Sequence, residues 1–138
     1  MPISRRIPNG LPGLETRLPL LYKGVLDKRI TIQDFVRVGC SQTAKLYGLN
    51  TKGEIFPGYD ADLCIWYPDS ESSGDAGEEK AGMKPFELDN GMLHHDIDYT
   101  PYEGMTFKNW PRYTILRGKV VWDRDGGGLW GSSEMGST

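Results

Sequence analysis

The chain has few residues able to bind a metal or act as a nucleophile, with two histidines and two cysteines among 138 residues. His94 and His95 are adjacent, and neighbouring residues of an extended chain point to opposite faces. We therefore expect a surface loop or subunit contact there, not a shared metal. Cys40 and Cys64 form no C-x-x-C pair, and we predict two buried free thiols. The sequence predicts no metal ligand in this chain.

An excess of positive charge is also missing. Sixteen Lys and Arg residues stand against 19 Asp and Glu, for a net charge of -3 and a pI near 5.4. This balance argues against non-specific binding to nucleic acid. The longest apolar runs are too short to span a bilayer, and no leader-like segment opens the chain. We expect a soluble, cytoplasmic protein without a membrane or nucleic-acid partner.

Common catalytic and cofactor patterns are missing or incomplete. There is no G-x-S-x-G run, and we predict no catalytic residue. Gly126, Gly128 and Gly131 match G-x-G-x-x-G, but only seven residues follow Gly131, too few for the helix and strand of a dinucleotide site. We predict a disordered tail at residues 126–138 and a mobile acidic loop at 69–82.

Helical periodicity is present in the first third of the chain. Apolar residues recur at helical spacing over residues 14–26, where Pro19 should kink or split the helix. A second helix should begin after Thr31, a good N-cap, with Asp34 completing a capping box. Gly48 is the expected C-terminal stop of this second helix.

The pattern then changes to the period of two that is typical of strands. We predict short strands at residues 53–55 and 61–67, and a strand pair at 113–116 and 119–123 that turns at Gly118. Two helices followed by a few separated strands do not make a self-contained layered core. The pattern indicates that this chain is part of a larger protein.

Asn9 is the candidate binding residue. It lies in a Pro-Asn-Gly turn, where asparagine tolerates unusual backbone angles. From the residues alone, a plain turn residue is the favoured interpretation, with ligand contact as the alternative.

Six runs of sequence carry a family resemblance, namely residues 7–18, 44–49, 52–55, 58–66, 98–105 and 117–121. In order and spacing they resemble the C-terminal portion of dihydropyrimidinases and hydantoinases. The P-N-G-x-P-G and D-Y-x-P-Y-E-G runs are specific to this cyclic-amide branch, whereas G-x-D-A-D-L is shared widely among amidohydrolases. Residues 110–113 resemble fungal or yeast dihydropyrimidinases.

The resemblance implies an α/β chain, a C-terminal fragment of a metal-dependent (β/α)8-barrel amidohydrolase. Residues 1–50 would close the barrel with two helices, and residues 51–125 would form part of a small β-sandwich. The family opens cyclic amides, such as dihydropyrimidines or hydantoins, to N-carbamoyl amino acids with two zinc ions. The family's metal ligands all lie upstream of the matching segment, so none has a counterpart here, and the isolated chain should be inactive.

The resemblance also changes the interpretation of Asn9, because the family's asparagine at this position helps to hold the substrate ring through backbone groups of its turn. We therefore expect Asn9 to bind substrate. The resemblance implies a homo-oligomer, a dimer or tetramer, for the full-length protein. The alternatives are a non-catalytic interaction protein like the collapsin-response mediators, or an allantoinase-like enzyme.

Overall fold

The computed structural model describes residues 10–68 and 82–129. The first part is helical, with α1 (Arg17–Leu26), α2 (Ile32–Val36), a π-helical turn (Arg37–Ser41) and α3 (Gln42–Leu46). The second part contains β1 (Leu63–Trp66), β2 (Phe86–Glu87), a 3-10 turn (Asn90–Met92), β3 (Thr106–Phe107), β4 (Pro111–Leu116), β5 (Lys119–Asp123) and β6 (Gly128–Leu129). None of the helices in these two stretches is long and apolar enough to cross a membrane.

Helix α1 is continuous, and the predicted kink or split at Pro19 is wrong. The helix begins at Arg17, which places Pro19 in its first turn. Backbone N–H groups in the first turn have no partner within the helix, so a proline there removes no helical hydrogen bond. The first hydrogen bond of this turn runs from the Leu20 N–H to the Thr16 carbonyl at 2.9 Å.

The predicted start and stop of the second helix are confirmed. The Thr31 hydroxyl accepts a hydrogen bond from the Asp34 N–H at 3.0 Å, and the Thr31 N–H donates to the Asp34 carboxylate at 3.3 Å. This reciprocal pair satisfies two N–H groups that the helix leaves free. Past α3, Gly48 has a φ of 67°, the left-handed geometry that ends many helices. The π-helical turn between α2 and α3 was not predicted.

Strands β1, β4, β5 and β6 form one antiparallel sheet in that order, and β2 pairs with β3 in a separate ribbon. Arg117 and Gly118 have φ values of 49° and 78°, as a two-residue hairpin turn requires, which confirms the predicted hairpin. The register shifts between Ile65 and Trp66 in β1, and the β4–β5 pair also has a bulge. Such bulges increase the local twist of a sheet.

Two strand-region predictions are wrong. Residues 53–55 form no strand, because Gly53 lies against the helical region, where an added Cβ would come within 2.6 Å of the Ala44 Cβ. The predicted disordered tail at 126–138 is contradicted at its start, since β6 pairs with β5. Residues 130–138 and nearly all of the predicted acidic loop, 69–81, lie outside the described residues.

The core is a cluster of four buried side chains around the small ribbon: Leu88, Leu93, Phe107 and Trp110. Leu20 of α1 packs against this cluster. A second contact joins helices and sheet through Tyr22, Phe35 and Trp66, whose ring centroids are 4.7 to 5.8 Å apart. Aromatic pairs at these distances add to the energy of burial.

Candidate functional site

The residue assigned to substrate, Asn9, lies outside the described residues, which begin at Gly10. The described part of the candidate site is therefore the segment from Gly10 to Thr16, which we call the entry segment. It runs from solvent into the core, because Leu14 is 96% exposed whereas Thr16 is 1% exposed. The Thr16 hydroxyl donates to the Gly13 carbonyl at 3.4 Å. The position of the entry segment thus depends on what holds its last residues.

Glu15 joins the entry segment to a distant loop. Its carboxylate accepts a hydrogen bond from the His94 N–H at 2.9 Å, and its two oxygens lie 3.1 and 3.3 Å from Nδ1 of the same histidine. The two residues are 79 positions apart in the chain. The ring of His94 also meets the ring of Trp122 edge-on, with 4.7 Å between centroids. Through this pair, the entry segment is fixed to β5.

The loop that carries His94 is itself held by side-chain caps. The Asn90 N–H donates to the Glu103 carboxylate at 2.9 Å, and the Asn90 amide donates to the Ile97 carbonyl at 3.0 Å. Asp89 caps the 3-10 turn through the Gly91 N–H at 2.7 Å. Glu103 belongs to the D-Y-x-P-Y-E-G run, so this motif supports the loop in which His94 lies.

A groove of about 400 Å³ lies beside the Glu15–His94 pair. Both residues of the pair contribute to its wall, and most of the remaining wall is apolar, including Leu18, Trp110 and Trp122. A volume of this size suits a small ligand or a few buried side chains. In the described chain, the groove joins the start of α1 to the face of the larger sheet.

The G-x-D-A-D-L run builds a charged cluster around one lysine. Lys52 lies 3.0 Å from the carboxylate of Asp60 and bonds to that of Asp62 as well. Asp62 also accepts the Arg117 N–H at 2.8 Å. Hydrogen bonds from Lys52 lower the pKa of both carboxyls, and those two carboxylates raise the pKa of Lys52.

The described residues do not fit a dinuclear metal centre. The Nδ1 atom of His94 faces Glu15, and Nδ1 of His95 accepts the Ile97 N–H at 3.2 Å. Over residues 10–68 and 82–129, no three His, Cys, Asp or Glu side chains could together hold a metal ion. A catalytic zinc takes three protein ligands.

The two thiols are free, as predicted, but the prediction that both are buried is wrong. Cys40 in the π-helical turn and Cys64 in β1 are both exposed. Cys64 nevertheless lines the groove, and desolvation there raises the pKa of its thiol to about 11, with a smaller contribution from Cys40. The exposed fraction describes the whole residue, whereas the pKa reports the surroundings of the sulfur atom.

Sequence reasoning did not single out Glu15, Lys52 or His94 as partners of other residues. Glu15 lies within the 7–18 run. An acidic residue just before a helix is common, because its negative charge interacts favourably with the helix dipole. Its true partner is far away in the chain and carries no local signal. The prediction of a surface loop or subunit contact for His94 therefore missed the contact that it makes within the chain.

Comparison with known proteins gives the same family as the motifs. The model of the amidohydrolase family matches residues 12–121. The D-hydantoinase of Rhizobium radiobacter is 36% identical over 120 residues, which cover 86% of this chain and 23% of that protein. The dihydroorotase of Methanosarcina acetivorans is 34% identical over 123 residues, which cover 88% of this chain and 23% of the relative. The chain thus spans about a quarter of the length of these relatives.

Solved structures agree in fold. The D-hydantoinase (dihydropyrimidinase) from Thermus sp. superimposes with a TM-score of 0.72 at 32% identity, over 91% of this chain and 24% of that structure. The L-hydantoinase (dihydropyrimidinase) from Arthrobacter aurescens gives a TM-score of 0.68 at 32% identity, over 86% of this chain and 24% of that structure. The family model covers the helices, β1 to β4 and the first part of β5. On this basis, the chain belongs to the amidohydrolase family.

Proposed function

We propose that this chain forms the C-terminal portion of a (β/α)8-barrel cyclic amidohydrolase that opens a hydantoin or dihydropyrimidine ring to an N-carbamoyl amino acid. The observation that carries the proposal is the similarity in sequence over 86% of the chain to a D-hydantoinase. The fold similarity to hydantoinases, at a TM-score of 0.72, supports it. The likeness to a dihydroorotase supports the same class of substrate, a cyclic amide.

In this proposal the chain supplies binding and support, and the rest of the polypeptide supplies the metal chemistry. Two zinc ions would be held outside residues 10–68 and 82–129, which contain no group of three side chains able to hold a metal ion. When bound, such metals lower the pKa of a bridging water and polarise the scissile carbonyl. Asn9 would present backbone groups of its turn to the substrate ring. The isolated chain would be inactive.

Cytoplasmic location and assembly into a homodimer or homotetramer also belong to this proposal. The similarity of residues 110–113 to fungal or yeast dihydropyrimidinases stays a prediction.

A chimeric enzyme tests the proposal directly. The segment of the Rhizobium radiobacter D-hydantoinase that matches this chain would be replaced by the chain, and ring opening of hydantoin would be measured in the presence of zinc. The intact hydantoinase and the hydantoinase without that segment are the controls. We expect activity in the chimera and none in the truncated enzyme. A folded, zinc-loaded chimera without activity towards any cyclic amide would contradict the proposal.

The choice of cyclic amide is the second part of the test. Hydantoin, dihydrouracil, dihydroorotate and allantoin would be compared in the active chimera by their kcat/KM values. Preference for hydantoin or dihydrouracil is the expected result, whereas preference for allantoin would favour the allantoinase-like alternative. A chain that assembles without metal and never supports catalysis would favour the collapsin-response-mediator-like alternative.

A further inference from the structure

We infer that Arg112 and Arg124 form a binding site for an oxyanion, the phosphate or carboxylate group of a small ligand. The site lies at the end of the larger sheet where β1 and β5 end and β4 begins. This inference goes beyond the proposed function, because the ligand is held by residues that the proposed ring opening does not use.

The two arginines lie opposite each other on neighbouring strands. Tyr113 of β4 pairs with Asp123 of β5. One step further towards this end of the sheet, Arg112 faces Arg124, whose N–H donates to the Arg112 carbonyl at 3.0 Å. Side chains at opposite positions of antiparallel strands share a face, and like charges there destabilise the pair. The sheet therefore brings two cations together, and their own contact contributes no stability.

Arg124 is held by two aromatic rings. Its Cζ atom lies 5.2 Å from the ring centroid of Phe86 and 5.4 Å from that of Trp110. Trp110 belongs to the buried cluster and is 4% exposed, so this support is firmly packed. A guanidinium over aromatic rings keeps N–H groups at its edge for an oxyanion. Within residues 10–68 and 82–129, no carboxylate forms an ion pair with Arg124.

Arg112 is held by two tyrosines. Its Cζ atom lies 5.5 Å from the ring centroid of Tyr67 and 5.1 Å from that of Tyr113. Its Nε atom lies 2.8 Å from an Asp125 oxygen, an ion-pair distance, although the N–H is not aligned there as a hydrogen bond. The Tyr67 hydroxyl donates to the same carboxylate. One carboxylate thus stands beside two guanidinium groups, which leaves the cluster with a net positive charge.

The Tyr67 hydroxyl shows that the two guanidinium groups converge. Burial raises the pKa of this hydroxyl to about 12, with a further increase from Asp125, whereas Arg124 and Arg112 both act to lower the pKa. Since each arginine acts on the same phenol, the two charges lie close to one point. The phenol stays protonated at neutral pH and remains a hydrogen-bond donor.

An oxyanion fits this arrangement better than a neutral or cationic ligand. Guanidinium groups offer paired N–H donors, which match the paired oxygens of a carboxylate or phosphate. The surplus of positive charge attracts an anion to the same place. Because the aromatic rings already hold both side chains, little order has to be gained when the anion binds.

Titration of the isotope-labelled 138-residue chain with inorganic phosphate tests the inference by NMR, with chloride keeping the ionic strength constant. The side-chain Nε–H signals of Arg112 and Arg124 should shift together and saturate, with a Kd on the order of 1 mM. Arg124→Gln should weaken binding at least about tenfold, and Arg124→Lys less, because lysine keeps the charge but loses the paired donors. Arg29→Gln, at an exposed arginine after α1, is the matched control and should leave the Kd unchanged. Equal Kd values in Arg124→Gln and Arg29→Gln would overturn the inference.

A variant that binds more tightly separates loss of the site from loss of folding. Asp125→Asn removes the carboxylate beside the two arginines and should tighten phosphate binding about threefold or more, whereas an unfolded chain would bind more weakly. Asp96→Asn, at an exposed aspartate, is its control and should have no effect. Unchanged affinity in Asp125→Asn would contradict the inference.

Acetate, titrated in the same way as phosphate, identifies the ligand class. Tighter binding of acetate indicates a carboxylate ligand, and tighter binding of phosphate indicates a phosphorylated one, so either result supports the site. The inference fails if neither anion gives a saturable shift at Arg112 and Arg124.

Discussion

The helical region, residues 17–46, and the ribbon with its buried cluster differ in how they are covered. Phe107 and Leu88 in the ribbon region are 1% and 2% exposed. In α3 and just after it, Leu46 and Tyr47 are 75% and 72% exposed. Both regions contain large apolar side chains, but the helical region buries only one of them, Phe35, at 8% exposure.

This difference indicates that the exposed apolar face of the helices is a contact surface for another part of a protein. Burial of apolar surface stabilises by roughly 25 cal/mol per Å², and the helical region forgoes this gain on its outer face. Contiguous exposed apolar surface is typical of an interface. In the proposed amidohydrolase, whose relatives are about four times as long as this chain, the rest of the polypeptide would cover such a face.

The largest expected effect follows from the buried cluster. Phe107→Ala should lower the free energy of unfolding by about 3–5 kcal/mol, because it removes a fully buried ring and leaves a cavity. Tyr47→Ala, at an exposed aromatic just after the helical region, should change it by no more than about 0.5 kcal/mol. Urea titration followed by tryptophan fluorescence measures both. Equal losses in the two variants would break the comparison between the regions.

Hydrogen exchange should show a related contrast, between the helical region and the larger sheet, without any substitution. Amides of β4 and β5, in the middle of the larger sheet, should exchange at least about tenfold more slowly than those of α2 and α3, which lack cover on one face. Mass spectrometry of peptic peptides from the isolated chain measures this. In the chimera, the helical amides should slow towards the rates of the sheet. Equal protection in the isolated chain would mean that the helices need no cover.

Much of the local structure could be predicted from sequence, because it depends on neighbouring residues. The Thr31 capping box, the Arg117–Gly118 turn and β1 all follow from short-range rules. The prediction failed where a distant contact decides the outcome. Residues 53–55 alternate like a strand, but the close approach of Gly53 to Ala44 leaves no room for pairing.

The candidate site was harder to predict than the fold. The resemblance identified Asn9, which lies outside the described residues, and the motifs identified the family. The Glu15–His94 contact and the bonds from Asp62 to Lys52 and Arg117 depend on residues between 10 and 79 positions apart. No spacing rule for helices or strands connects such pairs, so only the folded chain reveals them.

The charged cluster of Lys52, Asp60 and Asp62, which contacts the β4–β5 turn, gives a pH-dependent prediction of intermediate size. Asp60 and Asp62 have pKa values below their ordinary 3.8 in the folded chain, chiefly because Lys52 bonds to them. Their contribution to stability is therefore fully present above that ordinary value and is lost as the pH falls through the lowered values. Asp62→Asn should lower the melting temperature at pH 7 and reduce its loss between pH 5 and pH 2.

Differential scanning fluorimetry across that pH range measures the effect, with Asp96→Asn as the matched control at an exposed aspartate. Because the cluster is exposed, the effect of Asp62→Asn should shrink as salt is added. The pKa of Lys52 is raised above its ordinary 10.5 by the same two carboxylates. Its contribution to stability is therefore lost at alkaline pH, as the pH rises above 10.5 and through the raised pKa of the folded chain. An acid transition that is identical in both variants would show that the charged cluster around Lys52 adds no stability.

The last prediction concerns the reactivity of Cys64, a thiol of β1 in the larger sheet. Desolvation beside the groove raises the pKa of the Cys64 thiol from 9.0 to about 11, and this lowers its thiolate fraction at neutral pH about 100-fold. Iodoacetamide should therefore modify Cys64 much more slowly than a free cysteine at pH 7.5, as followed by mass spectrometry. If Cys64 reacts as fast as free cysteine, the groove is open to water at this strand, and this face of the larger sheet is less well covered than the raised pKa indicates.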